Sequence, residues 1–212
     1  MQDQSVIEMA ASGFVWLTLI IYHIHLFIKV KRQPMTTAIG ITNHVRVKWA
    51  EHVRQEGHDI LAVQTLRNQV MAATFLASTA ILISLGVIGL AFRPGMFAEV
   101  SHALNLTGVK SETIWLIKLM VLALLFFFAF FNFTLSIRYY NHAGFMINVP
   151  EASAMSHNSI AAVLNHGALH YTLGMRGFYL SIPIALWLFG PLWMLGGTVV
   201  LIGIFYRLDR EA

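Results

Sequence analysis

Residues 70–92, VMAATFLASTAILISLGVIGLAF, carry no charged side chain. A helix needs about 20 mostly apolar residues to cross about 30 Å of hydrocarbon. Because lipid offers no hydrogen-bond partner to the backbone, an apolar run of this length must be helical. The stretch therefore predicts an all-α integral membrane protein.

Three further stretches have the same character, namely residues 9–28, 113–137 and 178–206. The composition agrees, since 57% of the 212 residues are hydrophobic and only 11% are charged, against about a quarter in soluble domains. No linker divides the chain into independent units. We predict a four-helix membrane bundle that forms one domain, residues 1–212.

Basic residues orient the predicted spans. The connection over residues 29–67 holds seven Lys and Arg residues: Lys29, Lys31, Arg32, Arg46, Lys48, Arg54 and Arg67. Because cytoplasmic loops are enriched in such residues, this connection is predicted to be cytoplasmic. Four spans then make residues 138–176 cytoplasmic as well and leave both termini outside, in the inner membrane of a bacterium.

Two short amphipathic helices are expected on the cytoplasmic side. In the first, Val45, Trp49 and Val53 recur every four residues, and in the second Ile160 and Tyr171 share an apolar side. The apolar faces fit packing against the bundle, and the basic faces also fit attraction to anionic lipid.

The sequence gives no basis for an enzymatic activity, and no catalytic residue is predicted. It has no cysteine, no Gly-rich phosphate loop, no Gly-x-Ser-x-Gly motif and no paired carboxylates within the spans. No domain is present that would bind nucleic acid. Function must therefore be sought among the polar residues near the membrane.

Polar residues recur at the cytoplasmic ends of the predicted spans. The candidate residues for an anion- or lipid-binding cluster are Gln64, Arg67, Asn68, Arg138, Asn141 and Arg176. Arginine close to hydrocarbon is retained where it reaches the interface, forms a pair or lines water. Interfacial anchoring is one interpretation, and a cationic pocket for an anionic head group or a small carboxylate is the other.

Histidines suggest a third possibility. His166 and His170 lie four residues apart and can face one metal ion together, but two ligands are too few. A third ligand would have to come from His23, His25 or His142, and His23 and His142 also form the candidate axial pair for haem. No cofactor is favoured.

Small residues on the second span predict close helix packing. Ala73 with Ala77, and Ala80 with Ser84, are spaced so that a neighbouring backbone can approach. We expect this face to mediate self-association into a homo-oligomer.

The chain resembles a family of bacterial and plant membrane proteins known only as a domain of unknown function. The resemblance rests on residues 62–80, AVQTLRNQVMAATFLASTA, together with 137–142, IRYYNH, and 174–179, GMRGFY. It implies a four-span membrane protein without an assigned activity. The motif positions carried over are Gln64, Arg67, Asn68, Arg138, Asn141, Gly174, Arg176, Tyr179 and Trp187.

The leading hypothesis is a non-enzymatic membrane protein whose cationic cluster binds an anionic lipid or solute and lines a permeation path. An accessory subunit of a larger membrane complex is the first alternative. A His-ligated metal or haem protein is the second.

Overall fold

The structure is a computed structural model that describes residues 2–93, 95, 111–149 and 156–210. Within these ranges the chain forms six α-helices and no strand. They are α1 (Gln2–Arg32), α2 (Ala38–Glu56), α3 (Asp59–Ala91), α4 (Glu112–Ile147), α5 (His157–Leu186) and α6 (Pro191–Leu208). The all-α prediction is therefore confirmed.

Five helical segments of the described chain are long and apolar enough to cross a membrane. They are Ser12–Arg32, Asp59–Ala91, Glu112–Ile147, His157–Phe189 and Pro191–Leu208. The prediction of four spans is therefore wrong, and the additional segment lies in the last third of the chain.

The error arises from the predicted span over residues 178–206. Gly190 interrupts it with a φ of 135°, a backbone conformation that favours glycine, and Pro191 begins α6 at a position where a missing N–H breaks no hydrogen bond. Gly197 then lies against Leu186 and Pro183, so α6 runs back along α5. Two antiparallel helices replace the single span.

The prediction of a second surface helix, starting near Ile160, is also wrong. That segment is the first half of α5, which continues unbroken to Leu186. Residues 138–176 are accordingly not a loop, because α4 extends to Ile147 and α5 begins at His157. Two polar side chains of this region, His170 and Arg176, have partners inside the bundle, namely Asn132 and Asp209.

The helices share two hydrophobic cores. The first, called the membrane core, contains among others Val15, Ala73, Phe126, Phe133 and Ile184. The second, called the cytoplasmic core after the predicted orientation, joins α2 to the N-terminal ends of α3 and α5 and the C-terminal end of α4. Its buried residues include Ala50, Val53, Leu66, Tyr140, Met146 and Leu164. The bundle therefore continues beyond the membrane as a small helical cap.

Helix α2 is part of this cap. Val53 is buried and Trp49 is half-buried, whereas Val45 is 56% exposed. The predicted helix is thus present, and its packing against the bundle is confirmed.

Small side chains hold α3 against α4. Ala73, Ala77 and Ala80 are buried at this contact, and the Ser84 hydroxyl donates a hydrogen bond of 2.9 Å to the Ala123 carbonyl oxygen. The face that was expected to mediate self-association is therefore used within one chain.

Glycines on α5 bring it equally close to α4. Gly167 lies against Tyr139 and Tyr140, Gly174 against Phe133, and Gly177 against Ala129. Helix α4 consequently has a packed neighbour on two sides.

The position of the end of α6 bears on the prediction that both termini lie on the same side of the membrane. The backbone N–H of Ala38, at the start of α2, donates a 3.1 Å hydrogen bond to the carbonyl oxygen of Asp209. The end of α6 is thus beside the connection between α1 and α2. The prediction that both termini lie outside assumed four spans, whereas five segments of the described chain are long and apolar enough to cross a membrane.

Gly174→Ala tests the α4–α5 packing. A Cβ at this position would come 2.8 Å from the Phe133 ring, whereas one at Gly86 meets nothing within 4 Å. Overpacking costs about 1–3 kcal/mol, while both substitutions gain about 1 kcal/mol of helix propensity. In thermal unfolding in detergent, Gly174→Ala should be less stable than Gly86→Ala. Equal stability of the two variants would contradict this packing.

Candidate functional site

Polar residues of α3 lie at the boundary between the two cores. Gln64, Arg67 and Asn68 are exposed between buried Ala62 of the cytoplasmic core and buried Ala73 of the membrane core. This position corresponds to the membrane interface, where polar side chains reach water and lipid head groups. The three residues therefore form one polar surface on α3.

Helix α4 contributes the second part of this surface. Arg138 and Asn141 are exposed at the level where α4 passes from Phe133 in the membrane core to Tyr140 in the cytoplasmic core. The approach of Leu66 to Gly144 sets the register of the two antiparallel helices and puts Arg67 level with Asn141. We call Gln64, Arg67, Asn68, Arg138 and Asn141 the boundary belt.

An open groove of about 860 Å³ runs along α4 beside the belt. Its described lining residues are Thr134, Leu135, Ile137, Arg138, Tyr139, Asn141, His142 and Phe145. Among the described residues, neither Arg67 nor Arg138 is paired with a carboxylate. The belt therefore carries two uncompensated positive charges at the interface.

Arg176, the sixth predicted residue, does not belong to the belt. It is 8% exposed and lies near Phe205, about level with Phe133, and so deeper in the bundle than Arg138. Its Nη2 atom donates to Oδ1 of Asp209 at 2.5 Å. Arg176 therefore lies apart from the other five predicted residues, and its guanidinium has Asp209 as a counter-ion.

The Arg176–Asp209 pair joins three helices. Tyr22 of α1 donates its hydroxyl proton to Oδ2 of Asp209 at 2.6 Å, and His23 Nε2 lies 3.4 Å from Arg176 Nη1. The Arg176 guanidinium also lies 4.9 Å from the centre of the Phe205 ring. Both carboxylate oxygens of Asp209 are thus occupied, and α1, α5 and α6 are connected through one buried network.

Sequence reasoning missed Asp209 as a functional residue. It follows α6 directly and lies beyond the predicted span over residues 178–206. The signal in the sequence was Arg176 itself. An arginine within an apolar helix requires a counter-charge or water.

The predicted metal and haem ligands are separated in the structure. His166 and His170 both stack on Tyr139, with ring centres 5.5 Å from the tyrosine ring, while His23 contacts Arg176 and His142 is exposed. Within the described ranges, no group of three or more His, Asp or Glu side chains is placed to hold a metal ion. Metal and haem binding by these residues stay predictions.

Hydrogen bonds fix the orientation of the two α5 histidines. His166 Nδ1 lies 2.9 Å from the Ala162 carbonyl oxygen and must donate to it. His170 Nδ1 lies 3.0 Å from Oδ1 of Asn132, whose amide nitrogen in turn donates to the Phe128 carbonyl oxygen. Each imidazole therefore has only its Nε2 atom free for a ligand.

A second arginine, Arg46, is half-buried in the helical cap. Arg46 Nη1 donates to Oδ1 of Asn43 at 2.8 Å and to Oδ1 of Asn165 at 3.3 Å. Burial lowers the pKa of Arg46. These bonds attach α2 to α5, which gives Arg46 a structural role.

Besides Arg176, Lys118 is a buried cation in the membrane segments of the described chain. It is fully buried in α4, and its ammonium lies 5.3 Å from the centre of the Trp187 ring. A cation at this distance is attracted by the aromatic ring.

Comparison with known proteins identifies a family. A family model described as "Protein of unknown function, DUF599" matches residues 10–212. The chain belongs to this family. Neither the curated proteins nor the solved structures contain a match. Membership in DUF599 confirms the resemblance seen in the sequence, although the four spans that it implied are five in this chain.

Several DUF599 motif positions make the contacts described above. The Phe133 ring packs against Gly174, Arg176 pairs with Asp209, and the Lys118 ammonium lies over the Trp187 ring. Tyr179 packs its ring 5.9 Å from that of Phe205. These positions support the fold, whereas the motif residues of the boundary belt are exposed.

A double-mutant cycle tests the buried ion pair. Removing one partner leaves the other charge uncompensated, so Arg176→Met and Asp209→Leu should each cost about 3–5 kcal/mol of stability. The double variant should be more stable than either single variant, as measured by denaturant unfolding in detergent. Additive losses in the double variant would show that the two side chains do not interact.

Proposed function

We propose that this protein is a non-enzymatic, five-span membrane protein whose boundary belt binds an anionic ligand at the cytoplasmic face. Arg67 and Arg138 would supply the charge, and Gln64, Asn68 and Asn141 would supply neutral hydrogen bonds. The observation that carries the proposal is the pair of exposed arginines at one interface level without a carboxylate partner among the described residues. A guanidinium suits phosphate and carboxylate groups because its donors match two oxygens at once.

The position of the belt favours a lipid head group over a soluble anion. The cytoplasmic leaflet is negatively charged, and each nearby Lys or Arg gains about 1 kcal/mol from it. The groove beside Arg138 also opens outward and includes the apolar side chains of Leu135 and Phe145. An amphipathic lipid fits this combination of charge and apolar surface better than a small ion does.

The same geometry restricts the permeation hypothesis. The groove lies on the exposed side of α4, outside the packed interior of one chain. A path along it would require a second surface, from lipid or from another copy of the protein. Permeation is therefore proposed only for an assembled oligomer.

We also propose an orientation with the N-terminus outside and the C-terminus in the cytoplasm. It keeps the basic connection over residues 29–67 inside and accommodates five crossings. It also agrees with the hydrogen bond between Ala38 and Asp209, which puts the end of α6 beside that connection.

Single cysteines test this orientation without interference, because the chain has none of its own. In intact cells, an impermeant maleimide should label Glu112→Cys and should not label Gln33→Cys or Leu208→Cys. All three positions are exposed. Permeabilisation should make the two protected sites reactive, which controls for burial. Labelling of Leu208→Cys from outside would contradict the five-span arrangement.

The double variant Arg67→Gln/Arg138→Gln tests the ligand site. Loss of two interfacial charges corresponds to about 2 kcal/mol, or about 30-fold in affinity. Native mass spectrometry of the delipidated protein titrated with phosphatidylglycerol measures the change. Calorimetry with inorganic phosphate, run in parallel, measures binding of a soluble anion.

The matched control is Lys31→Gln/Arg32→Gln, which removes the same charge from exposed residues at the end of α1. It should retain phosphatidylglycerol binding. Equal affinity of the belt variant and the unmodified protein for both probes would refute the proposed site and leave interfacial anchoring as the role of the arginines.

A further inference from the structure

A second polar pocket lies between α1 and the end of α6, away from the boundary belt. Its described lining residues are Tyr22, His25, Leu26, Lys29, Tyr206, Asp209 and Arg210, and its volume is about 110 Å³. Counted from Tyr22, the other three α1 residues lie three, four and seven positions further along the chain, so all four lie on one side of the helix. The three residues at the end of α6 form the opposite wall. We call this pocket the α1–α6 cleft.

Charge in the cleft is not balanced. Asp209 is its only acidic lining residue in the described chain, and both of its carboxylate oxygens are already bound, one by Arg176 and one by Tyr22. No described carboxylate is paired with Lys29 or Arg210. The cleft therefore retains the two positive charges of these residues.

The cationic groups are held in place from different helices. Arg210 stacks its guanidinium 4.2 Å from the centre of the Tyr206 ring, which orients it without neutralising it. Lys29 lies half-buried on the last turns of α1. An anion between them would contact two cations from opposite walls.

The surroundings of the cleft indicate an amphipathic ligand. On the membrane side of the cations, Leu26 and the Tyr206 ring line the wall, and Phe27 and Ile204 are exposed on the adjoining faces. The pocket is small enough that it holds a head group and leaves the acyl chains outside, along these apolar faces. The cations lie near water and the apolar side chains lie deeper. A phospholipid in the inner leaflet has its phosphate and its acyl chains at the same two levels.

The geometry points to the α1–α6 cleft as a binding site for the phosphate of an anionic phospholipid, held between Lys29 and Arg210. This site is separate from the boundary belt, and it depends on the five-span orientation only in that both cations must lie at the cytoplasmic leaflet. The ligand class follows from the two uncompensated cations together with the apolar wall.

Substitution of the two cations tests the site. The full chain is reconstituted in phosphatidylcholine nanodiscs that contain a small fraction of a photoactivatable phosphatidylglycerol, and crosslinked peptides are mapped by mass spectrometry. We expect crosslinks on α1 around Leu26 and on α6 around Tyr206. Lys29→Gln/Arg210→Gln should reduce them, and titration with phosphatidylglycerol should show a loss of affinity of about 30-fold for this site.

Matched variants separate this site from the boundary belt. Lys31→Gln/Arg32→Gln removes equal charge from the same helix end outside the cleft and should leave the crosslinks unchanged. Arg67→Gln/Arg138→Gln should leave the α1 and α6 crosslinks and abolish only those on α3 and α4. If the belt variant loses binding while the cleft variant does not, the cleft is refuted and the proposed function stands.

Two further outcomes decide the ligand class. Retention of the α1 and α6 crosslinks when inorganic phosphate is added supports a lipid, because the apolar wall contributes nothing to a free ion. Complete competition by inorganic phosphate overturns the assignment to a lipid. Crosslinks confined to other helices in the unmodified protein overturn the site itself, independently of any effect of the substitutions on folding.

Discussion

The fold depends on the close packing of α4 against α3 on one side and α5 on the other. Lipid chains are as apolar as leucine side chains, so helices in a membrane associate where small residues allow dense van der Waals contact. Ala73, Ala77 and Ala80 provide this surface on α3, and Gly174 and Gly177 provide it on α5. The same three helices continue to the level of α2, which completes a second hydrophobic core with them.

Helices α1 and α6 lie outside this trio and are attached partly by polar groups. Val15 and Leu19 bring α1 into the membrane core, but the contact that joins α1, α5 and α6 at one point is the network of Tyr22, Arg176 and Asp209. An ion pair is costly to bury, and once buried it is costly to break. Among the predicted site arginines, Arg176 has a counter-charge and lies inside the bundle, whereas Arg67 and Arg138 of the boundary belt have none among the described residues and are exposed.

The sequence predicted the parts of this arrangement that depend on local composition. The length of α3 follows from an apolar pattern without Gly or Pro before Gly86, and the polar level of Arg67 and Arg138 follows from helical spacing. The His157–Phe189 segment was misread because His166, His170 and Arg176 make it the least hydropathic of the five, at 1.3. Their partners, Asn132 and Asp209, come from other helices, so only the tertiary structure reveals that these polar groups are accommodated within the bundle.

Asp209 connects the stability of the bundle with the charge of its cytoplasmic surface. Asp209 lines the α1–α6 cleft, and if it did not pair with Arg176 its carboxylate would be available to Lys29 and Arg210 and would neutralise one of them. By binding inward to Arg176 and Tyr22, it leaves both cations uncompensated at the interface. The interaction that secures α1 and α6 therefore also creates the positive potential that an anionic head group would meet.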